Sequence, residues 1–159
     1  MGWTILDTNK LRQIDLFAGL SELALEKVAA ITYTRPCRRG EKIFSDGDPG
    51  QAMYMIMQGE VRISKSIPGL GEEALAILGE GSYFGEMSLL EDEEGERSAD
   101  AWASKTCQLT VINKADLQDL MRRDAGLEVE LLRSFVQTLS RRLREANSKV
   151  TFLAAAGKF

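Results

Sequence analysis

Between Thr32 and Ile112 the chain is divided by glycine into pieces of strand length. The runs Ile43-Phe44, Met53-Tyr54-Met55-Ile56-Met57, Val61-Arg62-Ile63, Ala74-Leu75-Ala76-Ile77-Leu78 and Leu109-Thr110-Val111-Ile112 are apolar or alternating. Gly40, Gly47-Asp48-Pro49-Gly50, Gly59, Gly69-Leu70-Gly71, Gly79 and Gly81 lie between them. Short strands with regular turn signals predict an all-β roll or barrel. The stretch Glu91-Asp92-Glu93-Glu94-Gly95-Glu96 breaks the pattern, and its charge requires a solvated loop.

Helical patterns flank this zone. Upstream, to about Ile31, Ser21 is placed as an N-cap with Leu20 and Leu25 as a hydrophobic staple. Leu23, Val28 and Ile31, with Ala24 and Ala30, then form an apolar stripe. Downstream, Asn113 is placed to cap a short helix, with Asp116 at its third position and Ile112 and Leu117 as the staple. Beyond Arg123-Asp124 the positions Val129, Leu132, Val136, Leu139, Leu143, Ala146, Val150 and Leu153 recur at alternating intervals of three and four. This heptad seam has β-branched residues at most first core positions and leucine at most second ones, which favours a parallel homodimer through this helix. The competing arrangement is a helix lying lengthwise on its own domain, and Phe135 widens the stripe enough for part of it to do so. The expected organisation is a helical segment over 1–31, a β-roll over 32–112 and C-terminal helices over 113–156, with the coiled-coil-like helix at 125–155.

Composition then narrows the function. A chain of 159 residues has the size of one domain, and 44% apolar with 28% charged residues is ordinary for a soluble protein. Nothing approaches the roughly 18 consecutive apolar residues of a membrane helix, and Met1-Gly2-Trp3-Thr4-Ile5 lacks the start of a signal peptide. Cys37 and Cys107 lie in strand-like stretches and read as buried free thiols of a reducing compartment, the cytoplasm. Histidine is absent. That removes the commonest general base and metal ligand together, and no base–nucleophile pair is visible. Neither enzyme activity nor a metal site is expected. A net charge of −4 argues against nucleic-acid binding, which needs a basic footprint.

The densest constellation is Gly81-Ser82-Tyr83-Phe84-Gly85-Glu86-Met87-Ser88-Leu89-Leu90, followed after the acidic loop by Glu96-Arg97-Ser98-Ala99-Asp100-Ala101. A strand running into Gly85, then a helix-compatible run, leaves unpaired backbone N–H groups at a helix start, a ready anion site. Arg97 places a permanently charged planar fork one loop away, and Ser98 adds a hydroxyl donor. Glu86 cannot bind phosphate but is a suitable acceptor for a sugar hydroxyl. Such a set suits a nucleotide. In the competing reading, Glu86 and Arg97 form a surface ion pair and the glycines are plain turns. Gly79-x-Gly81-x-x-x-Gly85 misses the dinucleotide spacing, and no Walker-type Gly-Lys-Ser/Thr exists.

The run Phe84-Gly85-Glu86-Met87-Ser88-Leu89, with Arg97-Ser98-Ala99 after a loop, resembles the phosphate-binding cassette (84–99) of cyclic-nucleotide-binding domains. The resemblance extends upstream through Gly40-Glu41, Gly47-Asp48 and Met53 to Val61. Glu96-Arg97-Ser98-Ala99, Arg141-Arg142-Leu143 and Ser148-Lys149-Val150 are similar to the catabolite-activator branch of that family. Roughly residues 11–153 are covered. The resemblance implies a mainly β fold with flanking helices: a β-roll of the double-stranded β-helix or jelly-roll type, followed by a long dimerisation helix. It also implies that Glu86 binds the ribose 2′-hydroxyl, that Gly85 with the Met87 and Ser88 amides cradles the cyclic phosphate, and that Arg97 neutralises it with help from Ser98. Ile63, Leu75 and Leu78 would form an apolar wall for the base, or are plain core.

The chain also departs from that branch. Ala146-Asn147 replaces the threonine–serine pair that the branch sets against adenine. The Asn147 amide suits the N6/N7 edge of adenine, or is a solvated helix residue. Asp100 and Trp102 replace smaller or β-branched residues. The branch continues into a DNA-binding domain, whereas only residues 154–159 follow the helix here. The expectation is a cytosolic receptor for a cyclic nucleotide, with cAMP ahead of cGMP and no cofactor, acting on an unidentified effector protein. The alternatives are a scaffold that has lost its ligand and the sensory part of a longer transcription regulator.

Overall fold

The computed structural model describes residues 7–91 and 95–157. The strands are β1 (Thr32–Cys37), β2 (Lys42–Phe44), β3 (Ala52–Gln58), β4 (Val61–Ile67), β5 (Gly71–Leu78), β6 (Tyr83–Phe84), β7 (Asp100–Ala103) and β8 (Cys107–Asn113). They form two four-stranded antiparallel sheets, ordered β1-β8-β3-β6 and β2-β7-β4-β5. The last two strands enter between earlier ones, β7 between β2 and β4 and β8 between β1 and β3. This return path closes the roll. Asp92, Glu93 and Glu94 of the acidic stretch, the N-terminus through Leu6, and Lys158-Phe159 lie outside the described residues.

The run of apolar residues in β3 makes sense in this setting. Side chains alternate across a strand, so Tyr54 and Ile56 point into the roll while Met53 and Met55 point to the helices. The interior cluster also holds Ile43, Val61, Phe84, Ala101, Ala103, Leu109 and Val111. The second cluster joins the outer face of that sheet, through Met53, Met55 and Ile112, to Leu16, Phe17, Leu25, Leu117, Leu131 and Phe135. The two central strands of that sheet, β8 and β3, are thus buried on both faces.

Three strands lie outside the hydropathic runs, each for a physical reason. β1 is an edge strand, so it is polar and tolerates Pro36. β6 is only two residues long. β7 buries two alanines, Ala101 and Ala103, and turns Asp100 and Trp102 outward. Those two departures from the family have local roles: Asp100 accepts from the Asp46 N–H at 2.7 Å, and Lys42 Nζ lies 4.8 Å above the Trp102 ring.

The helices are α1 (Thr8–Arg12), α2 (Glu22–Ala30), α3 (Lys114–Arg123) and α4 (Ala125–Ala156). Ser21 caps α2 as expected, its hydroxyl accepting from the Ala24 N–H at 3.3 Å, and Leu20 and Leu25 pack in the core. The stripe differs. Ala24, Leu25, Val28 and Ala29 are buried, whereas Leu23 and Ala30 are exposed, because positions 24, 25, 28 and 29 share one helix face and 23 and 30 fall off it. Asn113 stands at the N-cap of α3 without capping it; its amide is drawn instead to the Tyr33 hydroxyl and to Asp116.

α4 presents two apolar faces. Leu127, Leu131 and Phe135 pack on the domain with Ser134 and Thr138, and the Phe135 ring meets Phe17 edge-on at 5.9 Å. The seven large seam residues are 39–67% exposed. At about 100° per residue, the seam lies roughly a third of a turn from the packed face. The apolar packing of the helix on its domain is made by the Leu127–Thr138 stretch, and it uses other side chains.

Gly59 marks the tightest turn. Its φ is +99°, and an added Cβ would come 2.4 Å from the Thr106 carbonyl and 2.7 Å from Cys107 Sγ. Gly40 has a similar φ of +87° in open space. We expect Gly40→Ala to cost about 1 kcal/mol from backbone strain alone, and Gly59→Ala about 3 kcal/mol because overpacking adds to it. Urea unfolding midpoints of the two variants measure the difference, and equal shifts would contradict the contact at Gly59.

Candidate functional site

β6 ends at Phe84, and the chain turns through Gly85 at φ +80° and ψ 9° into a 3₁₀ turn, Glu86–Ser88. Glycine is required there: a Cβ would lie 2.7 Å from Arg97 Nη1 and 2.9 Å from the Ala52 carbonyl. The turn aims the start of a short helix, where backbone N–H groups lack intrahelical partners, into a cavity of about 300 Å³. Gly85, Glu86, Met87, Ser88, Arg97 and Ser98 all line this cavity. Phe44, Ile63 and Phe84 give it an apolar wall.

Arg97 is held from both backbone and side chain. Its N–H donates to Asp48 O at 2.7 Å and its carbonyl accepts from the Gly47 N–H at 2.8 Å, so the Gly47–Gly50 turn fixes the cassette arginine in place. Arg97 is 8% exposed. Nη2 donates to the Ala52 carbonyl at 2.6 Å, while Nη1 reaches the Gly85 carbonyl at 3.3 Å and Ser88 Oγ at 3.4 Å. The plane lies 4.3 Å above the Phe44 ring, and Nε is buried without a partner. Burial lowers the pKa of Arg97, with Tyr54, Glu86 and Asp48 acting in the opposite direction. Arginine stays charged under such a shift.

Glu86 does not pair with Arg97. Its Oε1 accepts from Arg142 Nη1 of α4 at 3.2 Å, and its side chain is 17% exposed. The reading of Glu86 and Arg97 as a surface ion pair is therefore set aside. Arg142 in turn lies 4.4 Å above the Tyr83 ring. Ser88 Oγ is buried and donates to the Gly85 carbonyl at 2.9 Å. Ser98 is exposed, and Met87, 72% exposed, stands at the rim.

The remaining expected residues are placed elsewhere. Leu75 is 57% exposed on β5, and Leu78 packs against the roll interior; neither lines the cavity. Asn147 is exposed on α4 and does not line it either. Phe44 and Arg142 were not assigned to the site from the sequence. Phe44 gave no signal beyond its place in a short strand. Arg142 lies four residues after the buried Thr138, so extending the packed face by one turn reaches it. Among the described residues no group of His, Cys, Asp and Glu could hold a metal ion, and no helix is long and apolar enough to cross a membrane. The cavity combines cationic and backbone donors, a carboxylate acceptor and an apolar wall, which fits a ligand with an anion, a hydroxyl and a flat ring.

Residues 34–124 match the family model described as the cyclic nucleotide-binding domain. The chain is 38% identical over 139 residues to the cyclic AMP receptor protein of Thermus thermophilus, covering 87% of this chain and 62% of that relative. The crystal structure of the Thermus thermophilus catabolite activator protein superposes with a TM-score of 0.73 at 37% identity, over 88% of this chain and 63% of that one. The N-terminal domain of a transcriptional regulator from Streptomyces coelicolor A3(2) gives a TM-score of 0.75 at 30% identity, over 89% and 94%. The chain spans 62% or less of the length of the curated relatives it matches. On this fold, this cassette and these matches, the chain belongs to the cyclic nucleotide-binding domain family, as a regulatory domain of the catabolite-activator type.

Proposed function

We propose that the chain is a receptor for a cyclic nucleoside monophosphate, cAMP in preference to cGMP, that reports occupancy through α4 of a homodimer to an effector protein. One observation carries this reading: the buried Arg97 guanidinium lines the cavity with Nε unpartnered and no carboxylate salt-bridged to it among the described residues. A permanent charge in that position calls for an anion. A cyclic phosphate seated on the Met87 and Ser88 amides, Arg97 and Ser98 supplies it. Glu86 then accepts from the ribose 2′-hydroxyl, and the base lies toward Phe44 and Ile63. The name of the Thermus relative supports cAMP as the ligand.

The homodimer rests on the exposed seam, which runs about 36 Å from Val129 to Leu153 at 1.5 Å per residue. In a parallel pair, a flanking residue faces the partner's residue five positions later. Arg142 therefore faces the partner's Asn147. Since Arg142 holds Glu86, that pairing brings the partner's amide to the ribose side of the cavity. This accounts for Asn147 lying away from the cavity of its own chain. Ligand binding and helix pairing are then coupled by contacts made in only one arrangement.

Arg97→Ala should raise the cAMP dissociation constant more than about tenfold, because losing a buried charged hydrogen bond costs roughly 2–5 kcal/mol. Calorimetric titration of the folded variant measures it, and an unchanged constant would move the site elsewhere. For Glu86, 2′-deoxy-cAMP should bind the wild type worse than cAMP does, yet bind Glu86→Ala about equally well. Equal affinities for the wild type would remove the ribose role. Leu139→Asp with Leu143→Asp should yield a monomer that keeps the β-roll but binds cAMP more weakly. Light scattering decides this, and a wild-type protein monomeric at high concentration with and without cAMP would contradict the dimer.

A further inference from the structure

Arg141 and Arg142 are neighbours on α4 and diverge to different parts of the molecule. Arg142 goes to Glu86 of the cassette, and Arg141 Nη2 goes to Asp15 Oδ2 at 2.6 Å, in the segment between α1 and α2. That segment is tied to α4 at two further points, where Ser134 and Thr138 donate to the carbonyls of Leu16 and Asp15. Tyr83 stands between the two arginine contacts. Its ring is the platform for Arg142, and its hydroxyl is buried.

Two polar atoms at this junction are conspicuous. The Tyr83 hydroxyl and Asp15 Oδ1 are both buried, and neither has a partner of good hydrogen-bond geometry. Buried polar atoms of this kind need partners, and a phenol donor beside a carboxylate acceptor is a complementary pair. They also sense each other: the Tyr83 phenol is pushed up by burial first and by Asp15 next, so it keeps its donor proton. Each atom lacks another partner, and the phenol belongs to the ring on which Arg142 lies.

We propose that Asp15 and Tyr83 are positioning residues for the ribose subsite: the Tyr83 hydroxyl, held by Asp15, fixes the ring that orients Arg142, and Arg142 orients Glu86. The inference rests on the assignment of Glu86 to the ribose 2′-hydroxyl. It makes the segment before α2, which does not line the cavity, a determinant of selectivity for ribose over deoxyribose. Asp15 contributes through both oxygens, one set by Arg141 and the other facing the phenol. Arg141 is the counter-charge that keeps this carboxylate in place, as Glu86 is for Arg142.

The test is the ratio of the dissociation constants for 2′-deoxy-cAMP and cAMP, measured by calorimetry on the full chain, for wild type, Tyr83→Phe, Asp15→Asn and the double variant. Tyr83→Phe keeps the ring and removes only the hydroxyl, so it guards against a failure to fold. The wild-type ratio should fall at least about threefold in each single variant, with 2′-deoxy-cAMP affinity changed less than twofold. The double variant should fall no further, since both residues act through one contact. A purely structural role would weaken both ligands together and leave the ratio unchanged, and that result in Tyr83→Phe would overturn the proposal. A wild-type ratio of one would instead overturn the ribose assignment, and the proposal with it.

Discussion

The buried guanidinium of Arg97 organises the roll around it. Three oxygen acceptors, from Ala52, Gly85 and Ser88, and the face of Phe44 surround it, and none of them carries a charge. Every one depends on a local feature of the sequence. Gly85 must be glycine because the guanidinium occupies the space a Cβ would need, and the Gly47–Gly50 turn must close on the cassette because it holds the Arg97 backbone. Gly50 is similarly constrained, since its Cβ would come 2.7 Å from Ser88 Cβ. Desolvating a charge without a counter-ion is costly, and the structure spends several of its constrained residues on doing so. An anionic ligand resolves that cost at the point where it arises.

α4 links this centre to the rest of the molecule because it presents different chemistry on different sides. One side is apolar and packs on the domain, another carries the exposed seam, and between them Arg142 reaches the cassette. Beyond Arg142 every described residue of the helix is exposed. A change at Glu86 therefore meets the helix at the last point where its own domain holds it. In the proposed dimer, that same point is where the partner's Asn147 arrives. In that dimer, occupancy and pairing would be linked by adjacency and need no long-range wire.

Much of this was legible in the residues. The roll was written in the strand-length runs between glycines, because a strand buried on both faces, such as β3, shows as unbroken hydropathy. The shared cavity of Gly85, Glu86, Ser88, Arg97 and Ser98 was legible because they are clustered in the chain, spanning one turn and one loop. Strands β1 and β7 were silent because an edge strand needs no apolar residues and β7 buries only alanine. The ion-pair partner of Glu86 was not legible for a related reason. Arg97 and Arg142 are the same residue type, and only the fold shows that the nearer in sequence is turned to backbone carbonyls while the farther closes the ion pair. The resemblance implied Leu75 and Leu78 as a wall for the base, with plain core as the alternative; Leu78 packs against the roll interior, and neither residue lines the cavity.

The most direct measurement of the central claim is the structure of the cAMP complex. The account predicts one nucleotide per chain, its cyclic phosphate within hydrogen-bond distance of Arg97 and the Met87 and Ser88 amides. The ribose 2′-hydroxyl should lie on Glu86 and the base against Phe44 and Ile63. A nucleotide bound elsewhere, or one whose phosphate leaves Arg97 on its backbone carbonyls with no anion contact, would contradict it.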